Sequence, residues 1–285
     1  PHQRSSAASD VYKRQVFEGV RAYLTDEGTK IFRLEDHTNR LFESAEAVNM
    51  KIPFSKEQLN DVQKEIFKVN NLEEGYIRPM CFYGAQGMGL RADNLKTHCI
   101  VAAWEWPSYM SPEAFDEGIK IKISSYKRQT NNLVSRSKVN GNYVTSIMAL
   151  QEAMQEGFDE ALLLDDEGNI SEGSGENLFL VKEGELFTPD LAASLNGITR
   201  KSIISLAQED GIEVRVKKIN LTEILDADEL FFTGTAAEVV PIRTVDQNTI
   251  ASGKRGPITT ILQKKYFDQV RGKRDSFSEW LTPIE

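Results

Sequence analysis

At 285 residues, 40% of them hydrophobic and 27% charged, the chain suffices for one large or two ordinary domains and can bury a real core, which excludes a disordered or fibrous protein. A net charge of −9 without a basic tract argues against nucleic acid or an anionic membrane as the main partner. The longest clearly apolar run, Cys99 to Trp104, is far too short to span a bilayer.

Pro1 to Gln15 shows neither period 2 nor period 3.6, and it lacks the apolar core of a secretory signal. With no initiating Met, it is expected to be a non-native leader replacing the true N-terminus. Val16 to Tyr23 and Lys30 to Arg33 form expected strands around the turn Thr25-Asp26-Glu27-Gly28. Asp36 is expected to cap a helix with Leu41, Ala45 and Val48 on its apolar side. Ser55 starts a second, with Leu59, Val62, Ile66 and Val69 on one face. Tyr76–Tyr83, His98–Trp104 and Ile119–Ser125 are strands, rich in aromatic and β-branched residues. The loop between the first two, Gly84-Ala85-Gln86-Gly87-Met88-Gly89, is followed by no long helix and so is not a nucleotide loop. Cys81 and Cys99 fall in these strands and are expected as buried free thiols in a cytosolic chain without a disulfide framework.

Tyr126 to Arg136, polar and with Asn131-Asn132, has the character of an interdomain connection. Asn142 opens a helix with Tyr143, Ile147, Leu150 and Met154 on one stripe, ended by Gly157. Strands are then expected at Glu160–Leu164, Leu178–Val181, Ile212–Ile219 and Glu229–Thr233. Helices are expected from Thr199 through Leu206, after Thr222, and from Gly256-Pro257, where proline takes the tolerated first position. Two helices among mostly consecutive strands, then a mixed second half, make the chain α+β. The expected divisions are a leader (1–15), a small α+β domain (16–125), a connection (126–136) and a large domain (137–285).

Ser137-Lys138-Val139-Asn140-Gly141-Asn142-Tyr143 places a lysine at the mouth of a helix. Ser171-Glu172-Gly173-Ser174-Gly175-Glu176-Asn177 places a carboxylate in a glycine-rich turn after a strand. A lysine amine and a carboxylate for a pyridine nitrogen are what a pyridoxal 5'-phosphate (PLP) enzyme asks of its protein. Taken alone, such a lysine is a surface charge and such a turn is simply solvated. His37 and His98 have no metal-ligand spacing, and no metal site is expected.

These two segments resemble the signature segments of the class IV (fold type IV) PLP-dependent aminotransferases, above all the branched-chain amino acid aminotransferases. Further matches follow in order: Val16-Phe17-Glu18-Gly19, Tyr76-Ile77-Arg78-Pro79, Gly197-Ile198-Thr199-Arg200 and Phe232-Thr233-Gly234-Thr235-Ala236-Ala237-Glu238. The resemblance runs from about Val16 to the C-terminus. It implies a small α+β domain, a larger pseudo-barrel domain that binds PLP, and a cytoplasmic homodimer or higher homo-oligomer with its site near the subunit interface. It makes Lys138 the lysine that carries the cofactor and moves the proton. It gives Glu172 the ring nitrogen, and assigns Glu176 to local backbone or side chains. The phosphate falls to Arg40, Gly197, Ile198, Thr199 and Thr235, and the phenolic oxygen to Tyr143. Phe17, Tyr76, Trp106 and Tyr109 become substrate-pocket aromatics, with plain core the other reading for each. Arg78 becomes the partner of glutamate's distal carboxylate, with support of the sheet through an acidic neighbour as its alternative. The amides of Thr235 and Ala236 would receive the α-carboxylate. The implied reaction exchanges the amino group of leucine, isoleucine or valine with 2-oxoglutarate. D-amino acid aminotransferase and aminodeoxychorismate lyase share the fold and stand as alternatives, as does a cofactor-less scaffold.

Overall fold

The computed structural model describes residues 15–84, 94–106, 108, 110–130 and 136–285. The leader up to residue 14, the glycine loop beyond Gly84, Asn131-Asn132 and Tyr109 lie outside them. The chain forms two units, Pro1–Pro107 with Ser137–Tyr143 and Arg274–Glu285, and Ser108–Arg136 with Val144–Lys273. This division differs from the expected one in three places: residues 110–125 belong to the second unit, and Lys138 and the C-terminus belong to the first.

The first unit is an antiparallel sheet under two helices. Strand β4 (Gly75–Tyr83) is central. One edge bonds first to β1 (Gln15–Phe17) and then to β2 (Val20–Thr25); the other bonds to β5 (Thr97–Trp104). Gln15 is thus part of the sheet rather than of a leader, and Glu18-Gly19 interrupts the single strand expected here. Strand β3 (Gly28–Phe32) pairs with β2, and β15 (Leu281–Pro283) covers the free edge of β3. Val20, Ala22, Ile31, Leu34, Phe67 and Ile77 form the core.

Helix α1 (Leu34–Ala47) starts two residues before the expected cap. Arg33, in the left-handed region at φ 53°, turns the chain into it, and Asp36 instead accepts from Arg33 Nε at 2.7 Å. Helix α2 (Lys56–Val69) begins at Ser55 with a reciprocal bond to Gln58, as a capping box requires. Its buried residues are Leu59, Gln63 and Phe67, while Val62 and Val69 face solvent. Turning inward this way buries the large ring of Phe67 in place of two valines, and the Gln63 Nε2 donates to Thr38 Oγ1 and Leu59 O.

The second unit is a nine-stranded mixed sheet, ordered β11-β10-β9-β12-β13-β6-β7-β8 with β14 on β13. Its members are β6 (Ile119–Arg128), β7 (Glu160–Asp165), β8 (Ile170–Gly173), β9 (Asn177–Lys182), β10 (Glu185–Pro189), β11 (Val214–Lys217), β12 (Glu229–Gly234), β13 (Glu238–Val245) and β14 (Asn248–Thr249). Ile170 N on the last strand donates to Ile219 O, just past β11 at the other end, so the sheet closes on itself. Leu162, Leu178, Leu230, Phe232 and Val240 fill its interior. Tyr126 to Arg128, expected in the connection, continue β6, and Glu172 lies on β8 rather than in the turn.

A short helix missed in the sequence, α3 (Pro112–Glu117), is capped by Ser111 with Pro112 in its first turn. Helix α4 (Tyr143–Gln155) follows the 3-10 turn Asn140–Asn142. It buries Ser146, Ala149 and Ala153 against Ala161 and Leu163, so Ile147 and Met154 of the expected stripe are exposed. Small residues allow the close approach of helix to sheet that larger ones would block. Helices α5 (Ile198–Glu209), α6 (Leu221–Leu225) and α7 (Pro257–Val270) complete the unit.

Candidate active site

In the first unit, the sequence-selected residues gather around Phe17. Its ring lies 4.8 Å from Lys138 Nζ, 4.9 Å from the Arg78 guanidinium and 5.0 Å from the Tyr143 ring. Lys138 Nζ donates to the Tyr143 hydroxyl at 2.7 Å. The lysine backbone is fixed independently: its N–H donates to Ser44 Oγ at 3.0 Å and its carbonyl accepts from Phe17 N at 3.2 Å. Arg78 projects from β4 beside Tyr76, Nη2 to hydroxyl 3.4 Å, and has no acidic partner among the described residues. Its buried Nε is likewise without a hydrogen bond there. The Tyr76 ring packs at a tilt against Trp106 at 5.1 Å and Trp104 at 5.3 Å. The Tyr76 hydroxyl crosses the backbone at Gly19 so closely that any β-carbon there would collide with it. That contact explains the glycine in the first motif.

Arg40 does not stand alone. Its Nε and Nη2 both donate to the fully buried carboxylate of Glu18, at 2.7 and 2.9 Å, and His37 Nδ1 donates to the same group at 2.7 Å. Burial alone would raise the Glu18 pKa, but the charge and bonds of Arg40, with His37, hold it far below the carboxylate range. Burial also dominates at His37 and pushes it below its usual 6.5 in spite of Glu18. Below pH 6.5 the unfolded chain takes up a proton at His37 that the folded chain refuses. Below pH 4.5 the same holds at Glu18, so stability falls with pH in both windows. The urea midpoint of the wild type is therefore expected to drop between pH 7 and 5 relative to that of His37→Asn. Parallel curves would show that His37 is not the titrating group. Glu18 and His37 were missed as a pair because they are distant in sequence and no spacing links them.

In the second unit, Glu172 Oε1 accepts from Arg128 Nη2 at 2.5 Å and Oε2 from Leu195 N at 3.0 Å. Arg128, also missed, reaches it because β6 and β8 flank β7. Glu176 folds back on its own turn, accepting from Gly175 N at 2.9 Å. Helix α5 begins at Gly197 without a side-chain cap, and Ile198 and Thr199 provide its first amides. The α7 start, by contrast, is capped by the Glu229 carboxylate through Ile258 N and Thr259 N. Gly197 is required because Asn177 Oδ1 occupies the space of a β-carbon. Arg200 of the same motif is structural, bonding Thr188 Oγ1 and Pro189 O on β10. Thr235 and Ala236 form the partly exposed turn between β12 and β13. Gly234 at its start lies against Gly175 and Glu176.

A primary amine beside a phenol, a carboxylate clamped by a guanidinium and an uncapped helix start are a donor set that fits PLP: its carbonyl, its ring nitrogen and its phosphate dianion. Among the described residues no group of three metal-ligating side chains occurs.

Known proteins bear on this arrangement. The profile of the class IV amino-transferase family matches residues 15–245. A branched-chain-amino-acid aminotransferase of Pseudomonas aeruginosa is 53% identical over 96% of this chain and 90% of its own length. That of Escherichia coli K12 is 40% identical over 96% and 89%. A crystal structure of the Escherichia coli enzyme superposes with a TM-score of 0.94 at 39% identity, covering 98% of this chain and 93% of that one. The branched-chain amino acid aminotransferase of Thermobaculum terrenum in its PLP-bound holo-form gives a TM-score of 0.88 at 33% identity, covering 96% and 91%.

Proposed function

This chain belongs to the class IV aminotransferase family, and on that footing we propose how its residues divide the work of a PLP-dependent branched-chain amino acid aminotransferase. It exchanges amino groups between branched-chain amino acids and 2-oxoglutarate. The observation that carries the substrate class is the 53% identity, over 96% of the chain, to an enzyme of that activity. The two alternative enzymes and the scaffold reading have no comparable support.

PLP, when bound, would supply a carbonyl able to carry the amino group and a ring able to take up the electrons of the substrate Cα–H bond. Lys138 would hold the cofactor through its amine, and that amine would serve as the base that moves the proton at the substrate α-carbon. Tyr143 orients Nζ through the 2.7 Å bond. Glu172 keeps the ring nitrogen protonated, and Arg128 and the Leu195 amide fix its carboxylate. Arg40, Gly197, Ile198, Thr199 and Thr235 hold the phosphate. Phe17, Tyr76 and Trp106 wall the side-chain pocket, Arg78 receives glutamate's distal carboxylate, and the Thr235 and Ala236 amides take the α-carboxylate. The chain works in the cytoplasm as a homodimer. The apolar stripe of Val144, Ile147, Met148 and Met154, exposed along α4, supports self-association. Among the described residues no helix is long and apolar enough to cross a membrane.

The purified protein should show a visible absorption band that leucine bleaches and 2-oxoglutarate restores; a colourless protein would refute the reading. The division of roles is tested by two variants. Glu172→Gln is expected to lower kcat by about 10²-fold while the PLP Kd changes by less than about tenfold. Arg40→Ala should do the reverse. It must be made in a Glu18→Gln background, since Arg40→Ala alone leaves a buried charge unpaired at a cost of about 3–5 kcal/mol. Like behaviour of the two variants would refute the division.

A further inference from the structure

Cys81 and Cys99 have no part in the chemistry above, and their placement is specific. They are direct partners in the antiparallel register of β4 and β5. Directly opposed residues have Cα atoms roughly 4.5–5.5 Å apart and side chains on one face. A disulfide spans about 4.4–6.8 Å between Cα atoms. The two sulfurs are in contact at 3.0 Å, yet both thiols are free. Their environments differ. Cys81, on the central strand, is 1% exposed, whereas Cys99 is partly exposed on β5, which among the described residues pairs with β4 alone. This corrects the expectation of two buried thiols.

A metal is a poor occupant, because two thiols leave a tetrahedral ion two ligands short and no group of three ligating side chains exists among the described residues. What the pair does fit is thiol–disulfide exchange, in which an accessible thiol attacks and a neighbour resolves. We propose that Cys81 and Cys99 are a redox modification site, converted to an intrachain disulfide by a low-molecular-weight disulfide. The Cys99 sulfur, as thiolate, attacks one sulfur of the oxidant and expels the first small thiolate. Cys81 then attacks the Cys99 sulfur of the mixed disulfide and expels the second. Two protein thiols lose two electrons and two protons, and one small disulfide becomes two small thiols. The bond from Cys81 lowers the Cys99 pKa, while that same contact, with burial, raises that of Cys81, which suits the order of attack. Strand alternation puts Tyr76 and Arg78 on the opposite face of β4, so the site is separate from the substrate residues.

The test uses the whole protein, oxidised glutathione as oxidant and dithiothreitol as reductant. The chain contains only these two cysteines, so titratable thiols should fall from two per chain to none. The mass should fall by two hydrogens, and peptides containing Cys81 and Cys99 should be linked until dithiothreitol separates them. Cys81→Ser should trap a glutathione adduct on Cys99. Cys99→Ser should react at least about tenfold slower, because the remaining thiol is buried. Two surviving thiols, a lasting adduct on the wild type, a link between chains, or equal rates for the two variants would each overturn the proposal.

Discussion

Replacing Lys138 with alanine is expected to lower kcat for transamination by about 10³-fold or more and to abolish the visible absorption band. The loss comes from chemistry rather than folding. The Lys138 peptide is anchored through Ser44 Oγ and Phe17 N, bonds that survive truncation of the side chain. Among the described residues the amine meets groups that can tolerate its loss: the hydroxyl and ring of Tyr143 and the face of Phe17. Far-ultraviolet circular dichroism and the urea midpoint should therefore remain close to wild type. Borohydride reduction of the wild type followed by peptide mapping checks the assignment, and a pyridoxyl label on another lysine would overturn it.

The second large effect is a split between substrates. One pocket must accept an apolar side chain and then glutamate, whose distal carboxylate would be desolvated and unpaired against apolar walls. Arg78 lies over Phe17 at 4.9 Å and Tyr76 at 5.3 Å, within an aromatic wall, and no carboxylate among the described residues neutralises it. The rival reading, a purely structural ion pair, therefore finds no partner there. Arg78→Leu is expected to raise KM for glutamate and 2-oxoglutarate by about 10²-fold, the value of a charged bidentate contact, and that for leucine by less than about threefold. The two half-reactions, followed separately through cofactor absorbance, check this. Equal losses would make Arg78 structural and oblige the carboxylate to find another cation.

The α+β class and the family were legible because strand residues such as those of β4 and β12 have strong local preferences and because motif residues are contiguous. Lys138, Tyr143, Phe17, Tyr76 and Arg78 could be picked out for the same reason, and the fold brings them together from three separate segments. What stayed hidden was whatever depends on a partner distant in sequence. Glu18 and Arg128 read as ordinary charges until the folded chain sets them against Arg40 and Glu172. Helix faces were misjudged where a competing face packed better: Phe67 took the interior from Val62 and Val69, and the small face of Ala149 and Ala153 displaced Ile147 and Met154. The start of α1 was misplaced because Arg33 takes a left-handed conformation that arginine rarely adopts. There, Trp280 O receives its amide and the Trp280 ring its guanidinium.

The strand Leu281–Pro283 has a consequence for synthesis. A ribosome delivers β1 to β5 early, but the edge of β3 and the side of Arg33 that Trp280 covers wait for a segment made only after the second unit. The whole second unit is made in the interval. The first sheet thus waits through the synthesis of the second unit with an unpaired edge, the situation in which strands find wrong partners. That edge can close only once Leu281–Pro283 has been made, and a ribosome that stalls before Leu281 leaves it open.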